Sequence, residues 1–592
     1  MSTTDARSDL AYAPPGLSAT TMAEAFQLTA AARPDDVALR AFGSGEAHTW
    51  AEYDAAVRRL AAGLHALGVR AGDTVGMLLQ NRPAFHLVDA AAMHLGAIPF
   101  SLYLTSSVVQ LEYLLGHARA RVLVVEPALL DRVLAADAPT LEHVVVAGEH
   151  PGEGRLSLGD VEDLGAADTT FDFDAAWRAI APDDIATLIY TSGTTGPPKG
   201  VEMTHHNLLT VLGSCQDREP FRADGRTVSY LPHAHMADRL IAHYLSMFTG
   251  WELTTVADPR TVMAAVAEVR PTWFMGVPRI WEKLRAGLLA SLAGKEPAQR
   301  AAFESAVELG LEVVRLQQAG KPVPPSLASE HAAADATVLA TVRRQLGLDR
   351  LDLLLSGAAP LARGVHEFFL ALGLPLGEGW GMSETGSLGT VQPPGAIRVG
   401  TIGHVMPRGE LRISADGEIL VRGPHVMPGY RDDPERTAEA LDADGWLHTG
   451  DIGTIDSDGY VTIVDRKKEL IINAAGKNMS PANIEGQLKT ASPLIGQACV
   501  VGDGRPYNVA LLVLDAETAA GHDAAAIPGL VADAVARANE QLSRVEQIKR
   551  YALLDSEWLP DGDELTPTMK LKRRAIHEKH AAAIEELYAQ AR

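Results

Sequence analysis

Short apolar runs alternating with helical patterning constrain this chain more than any other feature. Val122–Val125 and Val144–Ala147 are continuous apolar runs, and Pro127–Leu134 between them reads as helix. A strand that is apolar on both faces has to be covered on both, which a parallel sheet flanked by helices provides. This style runs from Met22 to about Val269. It resumes near Leu351, where Leu351–Leu355 reads as a buried strand and Ser356-Gly357-Ala358-Ala359-Pro360 as a turn. Val365, Phe368, Phe369 and Leu372 then share one helical face.

Between the two stretches, residues 285–350 are charged and Ala-rich. Phe303, Val307, Leu311 and Val314 keep helical spacing there, and Lys321-Pro322-Val323-Pro324-Pro325 breaks it. This reads as an inserted helical pair. From Ile397 to Val464 the chain changes to short strands with Asp416-Gly417, Asp444-Gly445 and Asp458-Gly459 turns, a β-rich subdomain. After Asp465-Arg466-Lys467-Lys468 it restarts as a mixed α/β unit of about 125 residues, near the common size of a domain. The expected fold class is therefore α/β: a flexible tail over 1–20, a large N-terminal domain of mixed and parallel sheets over 21–465, and a smaller mobile α/β domain over 466–592.

Bulk properties exclude several functions. A formal net charge of -23 over 592 residues argues against general nucleic-acid binding, which needs a basic face. Two cysteines, Cys215 and Cys499, supply neither a disulfide framework nor zinc-ligand spacing, and each reads as a small buried apolar residue. The apolar stretch around Leu87–Leu104 is interrupted by Asp89, His94 and Pro99, so no transmembrane helix is expected. The start, MSTTDARSDLAYAPPG, lacks the charged end and apolar run of a signal peptide. A cytoplasmic location is the expectation. Peripheral contact with a membrane surface stays open, as does the oligomeric state.

The strongest local signal is Tyr190-Thr191-Ser192-Gly193-Thr194-Thr195-Gly196-Pro197-Pro198-Lys199-Gly200, which follows the apolar run Ile185–Ile189. Glycines let backbone N–H groups converge on an anion, hydroxyls add donors, and Lys199 adds a mobile charge. The combination suits a polyphosphate. It is not the loop of P-loop nucleotidases, because two prolines precede the lysine and a glycine follows it.

YTSGTTGPPKG resembles, almost residue for residue, the signature of the adenylate-forming superfamily, which includes acyl-CoA synthetases, luciferases and peptide-synthetase adenylation domains. Further motifs follow in that family's order, and the resemblance spans about Met22 to Arg574. It implies nucleotide contacts from Thr191, Ser192, Gly193, Thr194, Thr195, Gly196 and Lys199. Leu231-Pro232-His233-Ala234-His235 resembles the L-P-x-x-H element, which makes His235 an orienting residue at the acyl carboxylate and leaves His233 without a role. Ser356–Leu361 resembles the strand-turn against adenine, with Gly357, Ala358 and Ala359 at the ring. Glu378-Gly379-Trp380-Gly381-Met382-Ser383-Glu384 resembles the G-Y-G-x-T-E segment. It departs from it in Trp380 for tyrosine and Ser383 for threonine. Here Glu378, Gly379 and Gly381 are implied as nucleotide contacts, Trp380 for adenine, Ser383 for phosphate, and Glu384, with Thr191, for a magnesium ion carried on ATP. Asp451 in Trp446–Asp451 is implied for the ribose hydroxyls, Arg466 for ribose or phosphate, and Lys468 for the hinge. TPTMKLKR resembles the C-terminal motif of long-chain members, which makes Lys570 the catalytic lysine.

The resemblance implies a two-step ligase. A carboxylate attacks the α-phosphorus of ATP, and coenzyme A then takes the acyl group from the adenylate. The first step needs no strong base, because a carboxylate is ionised at neutral pH; it needs positioning and preorganised positive charge. Pro278–Lys283 and the insertion after it resemble bacterial long-chain fatty acyl-CoA synthetases, so a fatty acid and coenzyme A are the expected partners. A fatty acyl-AMP ligase or an aryl acid ligase using another acceptor remains an alternative, as does a non-catalytic nucleotide-binding module.

Overall fold

The computed structural model describes residues 12–148, 155–191, 197–473, 478–559, 562–566 and 570–589. Its largest sheet has eight strands in the order Gly429–Tyr430, Lys199–Thr204, Ile185–Thr191, Ile98–Ser101, Thr74–Leu78, Ala120–Val125, His143–Val146 and Leu156–Ser157. The pairings from Ile185–Thr191 outward to Leu156–Ser157 are all parallel. Antiparallel pairing begins at Lys199–Thr204, which folds back on Ile185–Thr191 with Thr191 opposite Lys199. Val122, Leu123, Val124 and Val125 are at most 1% exposed, as a strand apolar on both faces requires.

A second, five-stranded sheet runs Trp273–Gly276, Leu353–Ser356, Leu376–Trp380, Thr390–Val391 and His404–Val405. Its first three strands are parallel, so their C-terminal ends lie on one edge. That edge carries the Gly357–Pro360 turn and the loop after Trp380, and ligands of open α/β sheets bind at such edges. The helices Pro297–Gln318 and Pro325–Ala334, the latter continuing through Asp335–Gln345, are the expected helical pair, joined across Lys321–Pro324. Strands Glu410–Ile413, Glu418–Arg422, Leu447–Ile455 and Val461–Arg466 form an antiparallel sheet in the β-rich region. Beyond it, Ile495–Val501, Asn508–Leu514 and Ile548–Leu554 make a three-stranded sheet with its own apolar core.

One expectation is corrected. Residues 12–20 are not part of a flexible tail. The Tyr12 hydroxyl donates to the carbonyl of Thr249 at 2.7 Å, and a Cβ on Gly16 would lie 2.9 Å from the backbone of Phe248. The apolar surface of the helix Leu245–Thr249 needs covering, and this segment covers it. Residues 1–11 of that tail lie outside the described residues. Among the described residues no helix is long and apolar enough to cross a membrane. Both cysteines are free and buried, and burial pushes each thiol up to about 12.

Three core histidines make the fold acid-sensitive. His94, His205 and His425 are at most 2% exposed, and burial lowers them to about 4, 3 and 4. An unfolded chain takes up protons near pH 6.5, whereas the folded chain resists until about pH 4, so the unfolded state binds more protons in between. Stability therefore falls as pH drops from about 6.5 toward 4. Urea midpoints at pH 7.5, 6.5 and 5.5 are expected to fall slightly over the first interval and about three times as far over the second.

Candidate active site

The phosphate-loop motif sits where the parallel part of the large sheet turns antiparallel. Its flanks are fixed by strand pairing: Thr191 opposes Lys199 and Tyr190 opposes Gly200. Ser192, Gly193, Thr194, Thr195 and Gly196, which lie at the tip between them, fall outside the described residues. The two-residue strand Gly429–Tyr430 pairs with Val201 and Glu202 on the outer edge of Lys199–Thr204. That pairing lays the Tyr430 ring beneath Lys199, whose Nζ stands 4.4 Å from the ring centroid. The Tyr430 hydroxyl donates to Glu384 Oε1 at 2.8 Å.

Glu384 lies in the single turn Ser383–Thr385 and is 6% exposed. A buried carboxylate is costly unless paired, and among the described residues no cation forms an ion pair with it. Tyrosine occupies one lone pair of Oε1; the remaining hard oxygen sites fit a magnesium ion, which takes one or two protein carboxylates and otherwise phosphate and water. Gly381, three residues earlier, has no room for a side chain: a Cβ there would lie 2.1 Å from the Ser387 carbonyl oxygen.

The adenine-side residues are arranged at the parallel edge of the second sheet. Ala358 takes φ 69°, a left-handed conformation uncommon outside glycine, and Ala358 and Ala359 are exposed. Such strain collects at functional turns. Gly357 is buried with Met275 Cε 2.7 Å from where its Cβ would stand. Glu378 differs from its expected place among the nucleotide contacts. Its Oε2 accepts from the backbone N–H of Leu361 at 3.2 Å, and His366 Nδ1 lies 3.5 Å from Oε1. Its side chain is turned into the protein, where it holds the Ala358–Leu361 turn; Gly379, next to it, lies on the same strand.

Trp380 is 8% exposed, and its indole N–H donates to Asp451 Oδ2 at 2.8 Å. Arg466 Nε lies 2.8 Å from the other oxygen, Asp451 Oδ1, because Asp451 and Arg466 face each other across two paired strands. Each carboxylate oxygen keeps a further lone pair, so Asp451 can still accept two hydroxyls. Burial raises the Asp451 pKa, against the lowering by Arg466 and Trp380.

His235 caps the short helix Met236–Asp238, accepting the Ala237 N–H at its Nδ1 over 3.1 Å. That bond sets the tautomer: Nδ1 is the acceptor, so Nε2 carries the proton and is a donor. Burial, and after it the Lys570 charge, lower His235 to about 4. His235 is therefore a neutral hydrogen-bond donor at physiological pH. His233, two residues earlier, is a buried packing residue, its ring 3.5 Å from that of Phe85 at an interplanar angle of 7°.

Lys570 closes the site from the C-terminal region. Its backbone is held by Thr566, whose N–H donates to the Lys570 carbonyl at 2.8 Å and whose Oγ1 accepts the Lys570 N–H at 3.0 Å. Its surface is exposed, yet protein is dense enough around the ammonium that burial is the largest influence and lowers its pKa. The charges acting on it are Arg466, Asp451, Glu469 and Glu384. Lys468 is exposed, in the turn that leaves the strand Val461–Arg466, and the neighbouring Lys467 ammonium donates to Asp416 and Glu418 at 2.6 and 3.0 Å.

The structure thus gathers Lys199, Glu384, Asp451, Arg466, Trp380, His235 and Lys570 from six separate stretches of sequence. Sequence reasoning missed Tyr430 and Glu469. A lone tyrosine after Pro428-Gly429 carries no chemical signature, and Glu469 is hidden at the end of a basic run.

The family model described as AMP-binding enzyme matches residues 26–431, and that described as AMP-binding enzyme C-terminal domain matches 468–592. A Mycobacterium tuberculosis protein provisionally named fatty-acid–CoA ligase fadD11 is 49% identical over 451 residues, covering 74% of this chain and 79% of its own length. The long-chain-fatty-acid–CoA ligase FadD15 of Mycobacterium bovis is 36% identical over 566 residues, covering 91% of this chain and 92% of its own. Among solved structures, ATP-bound MatB from Rhodopseudomonas palustris aligns at a TM-score of 0.70 and 25% identity, covering 94% of this chain and 99% of that one. The edge site, the charges converging on it from both ends of the chain and these matches agree: the chain belongs to the AMP-binding enzyme family.

Proposed function

We propose that this chain is an ATP-dependent fatty acid–CoA ligase, which forms an acyl adenylate with release of pyrophosphate and then transfers the acyl group to coenzyme A. The observation that carries this reading is the placement of Lys570 within the field of Glu384 and Asp451, with its charge reaching His235. Two anions, a carboxylate and a triphosphate, have to approach each other. A lysine delivered to that point offsets their repulsion and the charge that develops in transfer. His235, a neutral donor through Nε2, orients the carboxylate without adding a proton to it. Asp451 receives the ribose hydroxyls, Ala358 and Ala359 present backbone and methyl surface to adenine, and Thr191, Lys199 and Ser383 contact phosphate. Glu384 and Thr191 would hold a magnesium ion, which would supply neutralisation of phosphate charge. The relatives' names supply the acid and acceptor, fatty acid and coenzyme A. Residues 466–592 act as the moving domain, with the turn at Lys468 as hinge. Rotation there withdraws Lys570 once the adenylate has formed, and so frees the site for the thiol.

The test is acid-dependent pyrophosphate release with palmitate, with and without coenzyme A, beside benzoate-type acids. Release with palmitate and formation of palmitoyl-CoA are expected. Release only with aryl acids, or an adenylate that never passes to coenzyme A, would sink the reading.

A further inference from the structure

We infer that Tyr430 is a positioning residue that couples the phosphate-loop lysine to the carboxylate at the metal position, through one ring that contacts both. This rests on the reading of Glu384 as the magnesium ligand. The ring face lies 4.4 Å from Lys199 Nζ, and the hydroxyl at the far end of the same ring donates to Glu384 Oε1 at 2.8 Å. A rigid aromatic spacer thus fixes the distance between a cation meant for phosphate and an anion meant for metal.

The spacer is itself clamped. Gly429 and Tyr430 pair with Glu202 and Val201, the Arg431 N–H donates to the Gly200 carbonyl at 2.8 Å, and the Tyr430 N–H donates to Thr437 Oγ1 at 2.9 Å. Gly429 cannot be enlarged, because a Cβ would stand 2.8 Å from Thr437 Cγ2. The same segment reaches Glu384 a second time, since the Met427 N–H donates to the Glu384 carbonyl at 2.9 Å. Residues 427–431 therefore tie the strand after the phosphate loop to the turn that carries Glu384. Tyr430 is 7% exposed, and burial together with the Glu384 charge raises its pKa, so the phenol stays protonated and keeps donating.

The two contacts separate by substitution. Tyr430→Phe keeps the ring under Lys199 and removes only the donor to Glu384. Tyr430→Leu removes both. Nucleotide binding is read by calorimetry without any acid, at graded magnesium and in EDTA, alongside thermal unfolding and initial rates. For Tyr430→Phe the magnesium concentration needed for half-maximal ATP binding is expected to rise about tenfold, the typical weight of one charge-assisted hydrogen bond. Binding in EDTA and the unfolding midpoint should stay at wild-type values, and excess magnesium should restore the rate. For Tyr430→Leu, binding in EDTA should weaken as well. Glu384→Gln is the control on the underlying reading. If it leaves the magnesium dependence unchanged, the metal assignment itself fails. If it shifts that dependence and Tyr430→Phe does not, only the coupling is overturned. A Tyr430→Phe protein that loses ATP binding equally with and without magnesium, or unfolds early, overturns it too, since that is what a purely structural tyrosine would do.

Discussion

Lys570→Ala is expected to slow acid-dependent pyrophosphate release on the order of 10²–10³-fold, the usual loss when one preorganised charge is removed from a transition state. The protein should otherwise fold normally, because the Lys570 side chain is exposed and its backbone is held by Thr566 rather than by its ammonium. Transfer from a supplied acyl adenylate to coenzyme A should change by no more than about threefold, because an interaction made in only one transition state affects only that step. Quench-flow measurement of each half-reaction separates the two. Equal loss in both would refute the assignment. The pH profile adds an independent readout. Burial and Arg466 lower the Lys570 pKa, while Asp451, Glu469 and Glu384 raise it, with burial the largest influence. Adenylation should therefore decline with rising pH below the ordinary lysine range, because the neutral amine no longer offsets phosphate charge. In Lys570→Ala that alkaline limb should vanish.

The sequence made the fold legible where chemistry and periodicity coincide. Apolar runs such as Val122–Val125, alternating with helical patterning, point to buried strands, and the Asp-Gly turns bracket the antiparallel strands of the β-rich region. Motif order placed Lys199, Glu384, Asp451 and Lys570 in one site although they span more than half the chain. What could not be read are contacts made by tertiary placement. Glu378 lies in the middle of a nucleotide motif yet turns inward to Leu361, which depends on the strand's pleat rather than on residue type. Tyr430 acquires its role only because a two-residue strand pairs back onto the large sheet. Asp89 is the clearest case. In sequence it is one charge interrupting an apolar stretch, and its partner is 150 residues away.

That partner gives the largest expected effect on stability. Asp89 and Arg239 are both 0% exposed and paired through Arg239 Nη2. The guanidinium also donates to Ser101 Oγ at 3.0 Å and to the Tyr244 hydroxyl at 3.3 Å, and His243 Nε2 lies 2.9 Å from Asp89 Oδ1. With Asp89 charged, His243 donates through Nε2, and its Nδ1 can then accept from His86 Nδ1 at 2.9 Å. The cluster ties the helix Pro83–His94 to the π-wound segment Arg239–Tyr244, which begins four residues after His235. Asp89→Ala would leave a guanidinium buried without its counter-charge, and the expected loss is about 3–5 kcal/mol of unfolding free energy. Asp89→Leu combined with Arg239→Met should recover much of that, because replacing both charges by apolar groups of similar volume is commonly near neutral. Urea unfolding of Asp89→Leu, Arg239→Met and the double variant makes the cycle. The coupling should be large and favourable. The double variant should nonetheless show weakened fatty acid use, since the π-wound turn that carries the cluster also fixes the helix capped by His235. Single variants with wild-type unfolding midpoints would mean that the pair contributes nothing to the fold. A double variant as unstable as Asp89→Ala would mean that the packing around the charges, and not their pairing, holds these two helices together.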